Sequence, residues 1–192
     1  EETIDISSLK EKSGLLYNGD ASLPYTGFAV SHYPNQQKER KGFIREGKLE
    51  GKWTLWFESG NVKSVEFYRS GKKEGRTINW YPNGKKRLSS EYKNDLKHGE
   101  VHSWYENGQK KLVGKYQNGK KEGAVTTWYE NGQKSGIMHY HNGLKEGPII
   151  GWHRNGKKKF EGSFKEDKLF GNIVEWDNTG KLKTKSPSPI QK

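Results

Sequence analysis

Gly99-Glu-Val-His-Ser-Trp104-Tyr105-Glu106-Asn107-Gly108-Gln-Lys-Lys-Leu112-Val113-Gly-Lys-Tyr116-Gln117-Asn118-Gly119-Lys-Lys-Glu122 is followed at Gly123 by a second copy of the same pattern. Glycines recur at 27, 51, 75, 99, 123, 147 and 171, a constant spacing of 24 residues. Five positions after these glycines stand Trp56, Trp80, Trp104, Trp128, Trp152 and Trp176, with His32 in the first copy. A fixed period of about 20–50 residues marks a repeat array rather than a domain built once.

Within each copy two apolar, alternating runs flank Asn-Gly, the strongest short-range hairpin signal. Counting from the repeat glycine as zero, position +7 holds Pro34 and Pro82. Proline suits the first central position of a type I turn, because its φ is preset and it has no N–H to leave unpaired. Asn then takes the second central position, and Gly the left-handed one that closes a three-residue loop with a bulge. On this loop +6 pairs with +10, +5 with +11 and +3 with +13. Applying the same loop at Asn118-Gly119 keeps odd positions opposite odd. Because 24 is even, the assignment persists through the array. One face is then expected to carry the six tryptophans at +5 with Tyr92, Tyr116 and Tyr140, and the other to carry Tyr105, Tyr129, Val101, Val125 and Ile149.

The composition fits a thin structure. Of the 192 residues 29% are hydrophobic, low for an enclosed core, yet 12% are aromatic, which a disordered chain would lack. The expected fold is all-β: an elongated single-layer antiparallel sheet of tandem 24-residue hairpins, with aromatic rows in place of an aliphatic core. A net charge of +12 favours acidic partners, although lysines in turns also discourage sheet edges from pairing. There is no cysteine, so thiolate chemistry and disulfides are excluded, and no apolar run of about 18 residues long enough for a transmembrane helix.

The ends depart from the period. Residues 1–26 read as an N-terminal cap, 27–185 as the repeats, and 186–192 as a disordered tail, with lysine-rich 181–185 as a blunted edge strand. Leu23-Pro24-Tyr25-Thr26-Gly27 matches the pattern read by sortases, but 165 residues follow it, and the match is read as coincidence. In the first copy Gln36 replaces the turn glycine, which predicts a less regular turn.

Trp-Tyr-Glu-Asn-Gly-Gln-Lys followed by Tyr-Gln-Asn-Gly-Lys-Lys-Glu-Gly resembles the MORN-repeat variant of bacterial proteins, often labelled YwqK-family antitoxins. The resemblance spans about residues 15–185. It implies hairpins in one layer; it does not imply an enzyme, and no cofactor is expected. The functions it implies are scaffolding, membrane-lipid contact and an antitoxin role, with an envelope or exported location favoured over the cytoplasm.

Catalytic and metal chemistry find little support in the residues. His98 and His102 lie four apart on a strand, roughly 13 Å, too far to share a zinc ion. His139 and His141 share a face without a third ligand. Ser70-Gly-Lys-Lys73 has the SxxK spacing but lies in an inter-repeat turn, and no carboxylate pair stands out from the repeat background. No catalytic or metal residue is therefore assigned, and no small-molecule substrate is expected. The candidate binding residues are Trp56, Trp80, Trp104, Trp128, Trp152 and Trp176 with Tyr92, Tyr116 and Tyr140. A protein partner is the leading expectation, since Trp and Tyr are common interface anchors. An anionic lipid or envelope polymer is the alternative. Nucleic acid is disfavoured, because no recognition motif is present and lysine far exceeds arginine.

Overall fold

The computed structural model describes residues 3–186 and is all-β, with one short 3-10 turn at Ile6–Ser8 and no helix long and apolar enough to cross a membrane. By its internal contacts the chain divides into two compact units after Leu96. In the first, β1 (Thr3–Asp5), β2 (Leu9–Lys12) and β3 (Leu15–Asn18) precede β4 (Gly27–His32), β5 (Lys38–Arg45), β6 (Lys48–Trp56), β7 (Val62–Arg69), β8 (Lys72–Lys73), β9 (Gly75–Trp80) and β10 (Lys86–Lys93). The second contains β11 (Leu96–Trp104), β12 (Lys110–Gln117), β13 (Lys120–Trp128), β14 (Lys134–His141), β15 (Leu144–Trp152), β16 (Lys158–Lys165), β17 (Lys168–Trp176) and β18 (Leu182–Ser186). Successive strands pair antiparallel in both units; β1 alone pairs in parallel, with β4.

The within-repeat turn has the geometry that proline implies. Tyr105 N–H donates to Gln109 O at 2.8 Å and Gly108 N–H to Tyr105 O at 2.9 Å, with Gly108 at φ 94°. Gln36 makes the corresponding bond to Tyr33 O at 2.9 Å with φ 66°, so the first turn keeps the pattern despite lacking glycine. The expectation of irregularity there is corrected: the side chain tolerates the left-handed backbone because the flanking hydrogen bonds fix it.

The inter-repeat turn differs from the loop expected of it. Asn118 (φ 49°) and Gly119 (φ 80°) are both left-handed and Gln117 pairs with Lys120, which is a two-residue type I′ turn. A bulge also falls within each hairpin. Trp104 pairs with Lys110, but Ser103 pairs with Leu112, leaving Lys111 as the extra residue. Each departure moves the following partners by one residue and so to the opposite face. The two together restore the phase over one full repeat.

The face assignment is corrected accordingly. Trp104 and His102 share one side of β11, their rings stacked with centroids 6.0 Å apart. Val101, paired with Gly114, faces the other side, and Tyr116 lies with Gly114. In the first unit Tyr68 donates its hydroxyl to Glu66, which pairs with Trp53 on the side away from Trp56. Tyr92, Tyr116 and Tyr140 therefore face away from the tryptophan row.

Position +2 carries the tightest packing. Ala29, Trp53, Thr77, Val101, Val125 and Ile149 are all buried, Val101 at 3% exposure. Where position +15 of the preceding copy is glycine, the residue at +2 packs against it. A Cβ on Gly114 would stand 3.0 Å from Val125 Cγ2, one on Gly162 would stand 3.1 Å from Ile173, and one on Gly42 would overlap the Trp53 ring.

β1 extends the main sheet of the first unit, and residues 6–26 add a second layer over it. β2 and β3 form a separate hairpin, and Ile4, Ile6, Leu9, Leu16 and Tyr25 pack on Ala29, Ile44 and Trp53. Leu16 N–H donates to Gly47 O at 3.0 Å, Tyr25 N–H to Leu16 O at 2.8 Å, and Gly47 N–H to Tyr25 O at 2.8 Å. The single layer expected throughout is replaced here by sheet plus cover. Thr26 of the sortase-like stretch accepts Glu46 N–H at 2.8 Å, and Gly27 opens β4. Ser186 ends β18, and the remainder of the expected tail lies outside the described residues.

Candidate binding surface

The tryptophan row is positioned from below by the preceding copy. Tyr33, Tyr105 and Tyr129 donate their hydroxyls to the carbonyls of Trp56, Trp128 and Trp152 at 2.8, 2.8 and 2.7 Å, and His153 Nε2 donates to Trp176 O at 2.9 Å. A second ladder runs beside it. Asn107 and Asn131 donate to Glu130 O and Arg154 O at 3.0 and 2.9 Å, while their own side-chain oxygens accept the N–H groups of Gln109 and Gln133. One turn thus closes itself and ties to the next. In the last copy Asp177 replaces the aromatic residue, and its carboxyl is held at about 2 by the Thr179 hydroxyl and the Lys181 N–H.

The indoles themselves are half-buried, unlike the enclosed residues at +2. Lysines stand directly opposite several of them: Lys86 to Trp80, Lys110 to Trp104, Lys134 to Trp128 and Lys158 to Trp152. Lys158 is occupied, 2.7 Å from Glu161 and 5.5 Å from the Trp176 ring centroid. Lys110 and Lys134 are exposed and have no carboxylate within salt-bridge distance among the described residues. In the first unit, shallow hollows of about 250 and 460 Å³ flank Trp56 and Trp80, lined at equivalent positions one repeat apart, such as Gly60 and Gly84.

Of the residues expected to form the surface, the first unit presents Trp56 and Trp80 on one side of its sheet, and the second Trp104, Trp128, Trp152 and Trp176. The three tyrosines do not join them. Lys73, Lys97 and Lys121 sit over Tyr92, Tyr116 and Tyr140, with Nζ 5.7, 5.3 and 4.6 Å from the ring centroids. This repeating cation–π row covers the tyrosines. Beside it Tyr68 is driven well above the usual phenol range, first by burial and then by its bond to Glu66.

Three of the four candidate histidines are engaged locally, His102 with Glu100 at 2.9 Å, His139 with Pro148 O at 2.9 Å and His141 with Glu122 at 3.0 Å, while His98 Nδ1 is enclosed without a hydrogen-bond partner. Among the described residues no group of three potential metal ligands gathers. Ser70 is a left-handed turn residue whose N–H donates to Glu50 at 2.8 Å. Sequence reasoning missed the Tyr and Asn ladders and the packing role of position +2. Their signal was present: Tyr or Phe at +6 and Asn at +8 each recur in five of the seven copies, against six for Trp.

No curated protein matches the sequence. The MORN repeat variant matches it five times in tandem, at residues 49–70, 73–94, 97–118, 121–142 and 145–166, together more than half of the chain. Repeats of this kind are generally protein- or membrane-binding modules. With hairpins, turns and period all in place, the chain belongs to the MORN repeat variant family.

Proposed function

We propose that the chain is a non-enzymatic scaffold that binds an acidic protein segment on its tryptophan–lysine face. One observation carries this reading. Position +2 on the opposite face supplies the tight packing, while the half-buried indoles keep accessible surface beside unpaired lysines. Aromatic anchors ringed by complementary charge combine affinity with orientation.

Selection of peptides from a random display library against the full chain tests it. Acidic sequences with apolar residues are expected, and they should lose at least about tenfold in affinity on Trp104→Ala/Trp128→Ala. Lys110→Glu/Lys134→Glu, at exposed positions, should weaken the same peptides without harming the fold. Full retention in both variants overturns the surface. The lysine row also supports a second reading, an anionic membrane. Flotation with vesicles containing phosphatidylglycerol, but not with phosphatidylcholine alone, would favour it. The antitoxin role rests on the resemblance alone, and co-expression with neighbouring toxin candidates tests it.

A further inference from the structure

We propose that the hollow between the N-terminal segment and the first repeats binds a small amphipathic carboxylate of the fatty-acid class. The hydrocarbon would lie against the half-buried Leu9, Leu16 and Leu49, above the enclosed Trp53 and Ile44, and the carboxylate on Arg40. The hollow measures about 480 Å³, and Ile6, Leu9, Leu16, Ile44, Leu49 and Trp53 supply its apolar lining. That is within the range of roughly 300–1,000 Å³ typical of small-molecule sites.

Three of the residues lining it depart from the repeat. Position +13 is Arg40 here, but Ser64, Leu88, Leu112, Gly136 and Phe160 in the following copies. Position +17 is Ile44 where the next copies have Tyr or Phe, and Trp53 is the only aromatic residue at position +2. Packing beneath the N-terminal cover accounts for Ile44 and Trp53. It does not account for Arg40, whose guanidinium has no hydrogen-bond or ion-pair partner among the described residues. Lys48 adds a second cation at the hollow, its stem running past Gly71, and Glu11 is the one acid there. Two cations against one anion favour a monoanionic ligand, and guanidinium meets carboxylate in a two-pronged geometry.

The site is also held in shape. The Leu16–Gly47–Tyr25 hydrogen bonds pin the cover, and a Cβ on Gly47 would meet Leu16 N at 2.8 Å, so the two layers already touch there. Trp53 Nε1 donates to Phe43 O at 3.1 Å, which fixes the indole wall. A preformed apolar site spares a ligand the ordering cost of closing one. This proposal does not rest on the tryptophan–lysine face.

Dodecanoate, kept below its micelle concentration, is titrated into the full ¹⁵N-labelled chain, and the indole N–H signals of its seven tryptophans are followed. The Trp53 signal is expected to shift saturably while those of Trp104 and Trp128 stay in place. Arg40→Gln, an exposed change that leaves the core intact, should weaken binding about tenfold, with Arg40→Lys intermediate. Dodecyltrimethylammonium should not shift the Trp53 signal. The proposal is overturned by an absent shift at Trp53, by equal affinity in Arg40→Gln, by a matching response to the cationic amphiphile, or by shifts confined to Trp104 and Trp128.

Discussion

Thr77 stands where other copies bury Val101, Val125 or Ile149, at 3% exposure and with no partner for its hydroxyl. Its cross-strand partner Ser90 is likewise enclosed and unpaired. A buried hydroxyl without a hydrogen bond keeps its desolvation cost, so an apolar group of the same shape should be better tolerated. Thr77→Val is expected to stabilise the protein by about 1 kcal/mol. The check is a denaturant midpoint that rises with an unchanged slope. A lower midpoint would show that the hydroxyl has a partner, such as an enclosed water, and that the polar pair is an asset to the fold. The substitution is visible in the sequence as a break in the row at +2. Its significance is hidden there, because that row looks secondary until the faces are assigned correctly.

At the scale of the hairpin, the part of the fold that could be read rested on residues with a narrow conformational range. Pro82 admits few turn types, and the loop inferred from it is the one found at Tyr105–Gln109. Asn118-Gly119 accepts either a two-residue or a three-residue loop, and nothing preceding it in sequence decides. The bulge that leaves Lys111 unpaired is announced by no residue at that point. One ambiguous loop and one unannounced bulge were enough to place Tyr92, Tyr116 and Tyr140 on the wrong side while leaving the strand order intact. The ladder at +6 supplies a register lock that explains why the tryptophans keep their place. Tyr129→Phe removes only the hydroxyl that holds Trp152 O, and is expected to cost about 1 kcal/mol. Tyr105→Phe should cost the same, and the double variant should be additive, since the two bonds share no partner. Amide exchange and thermal unfolding report both. A neutral result would mean that water replaces the hydroxyl without loss, and that register is set by the strands alone.

For the whole molecule, composition indicated a structure that is thin and basic, but it could not indicate the layer built by residues 6–26, whose partners lie far along the chain and follow no period. The same composition raises the question of why so many cations are left unpaired. A net charge of +12 makes the folded state repel itself, and the effect is largest at low ionic strength. If Lys110 and Lys134 serve a partner rather than the fold, reversing their charge should relieve that repulsion. The melting temperature of Lys110→Glu/Lys134→Glu at about 20 mM salt is therefore expected to rise by a few degrees, the size of shift that about 1 kcal/mol produces in a chain of this length. The difference should shrink as salt approaches about 0.5 M, where the screening length falls to a few ångströms. Calorimetry at the two salt concentrations measures both changes, and the peptides selected on the wild-type face should bind this more stable variant less tightly. A lower melting temperature at low salt would show instead that the two lysines are already satisfied within the sheet. The tryptophan row would then have no free charge beside it, and an acidic partner would lose its reason to dock there.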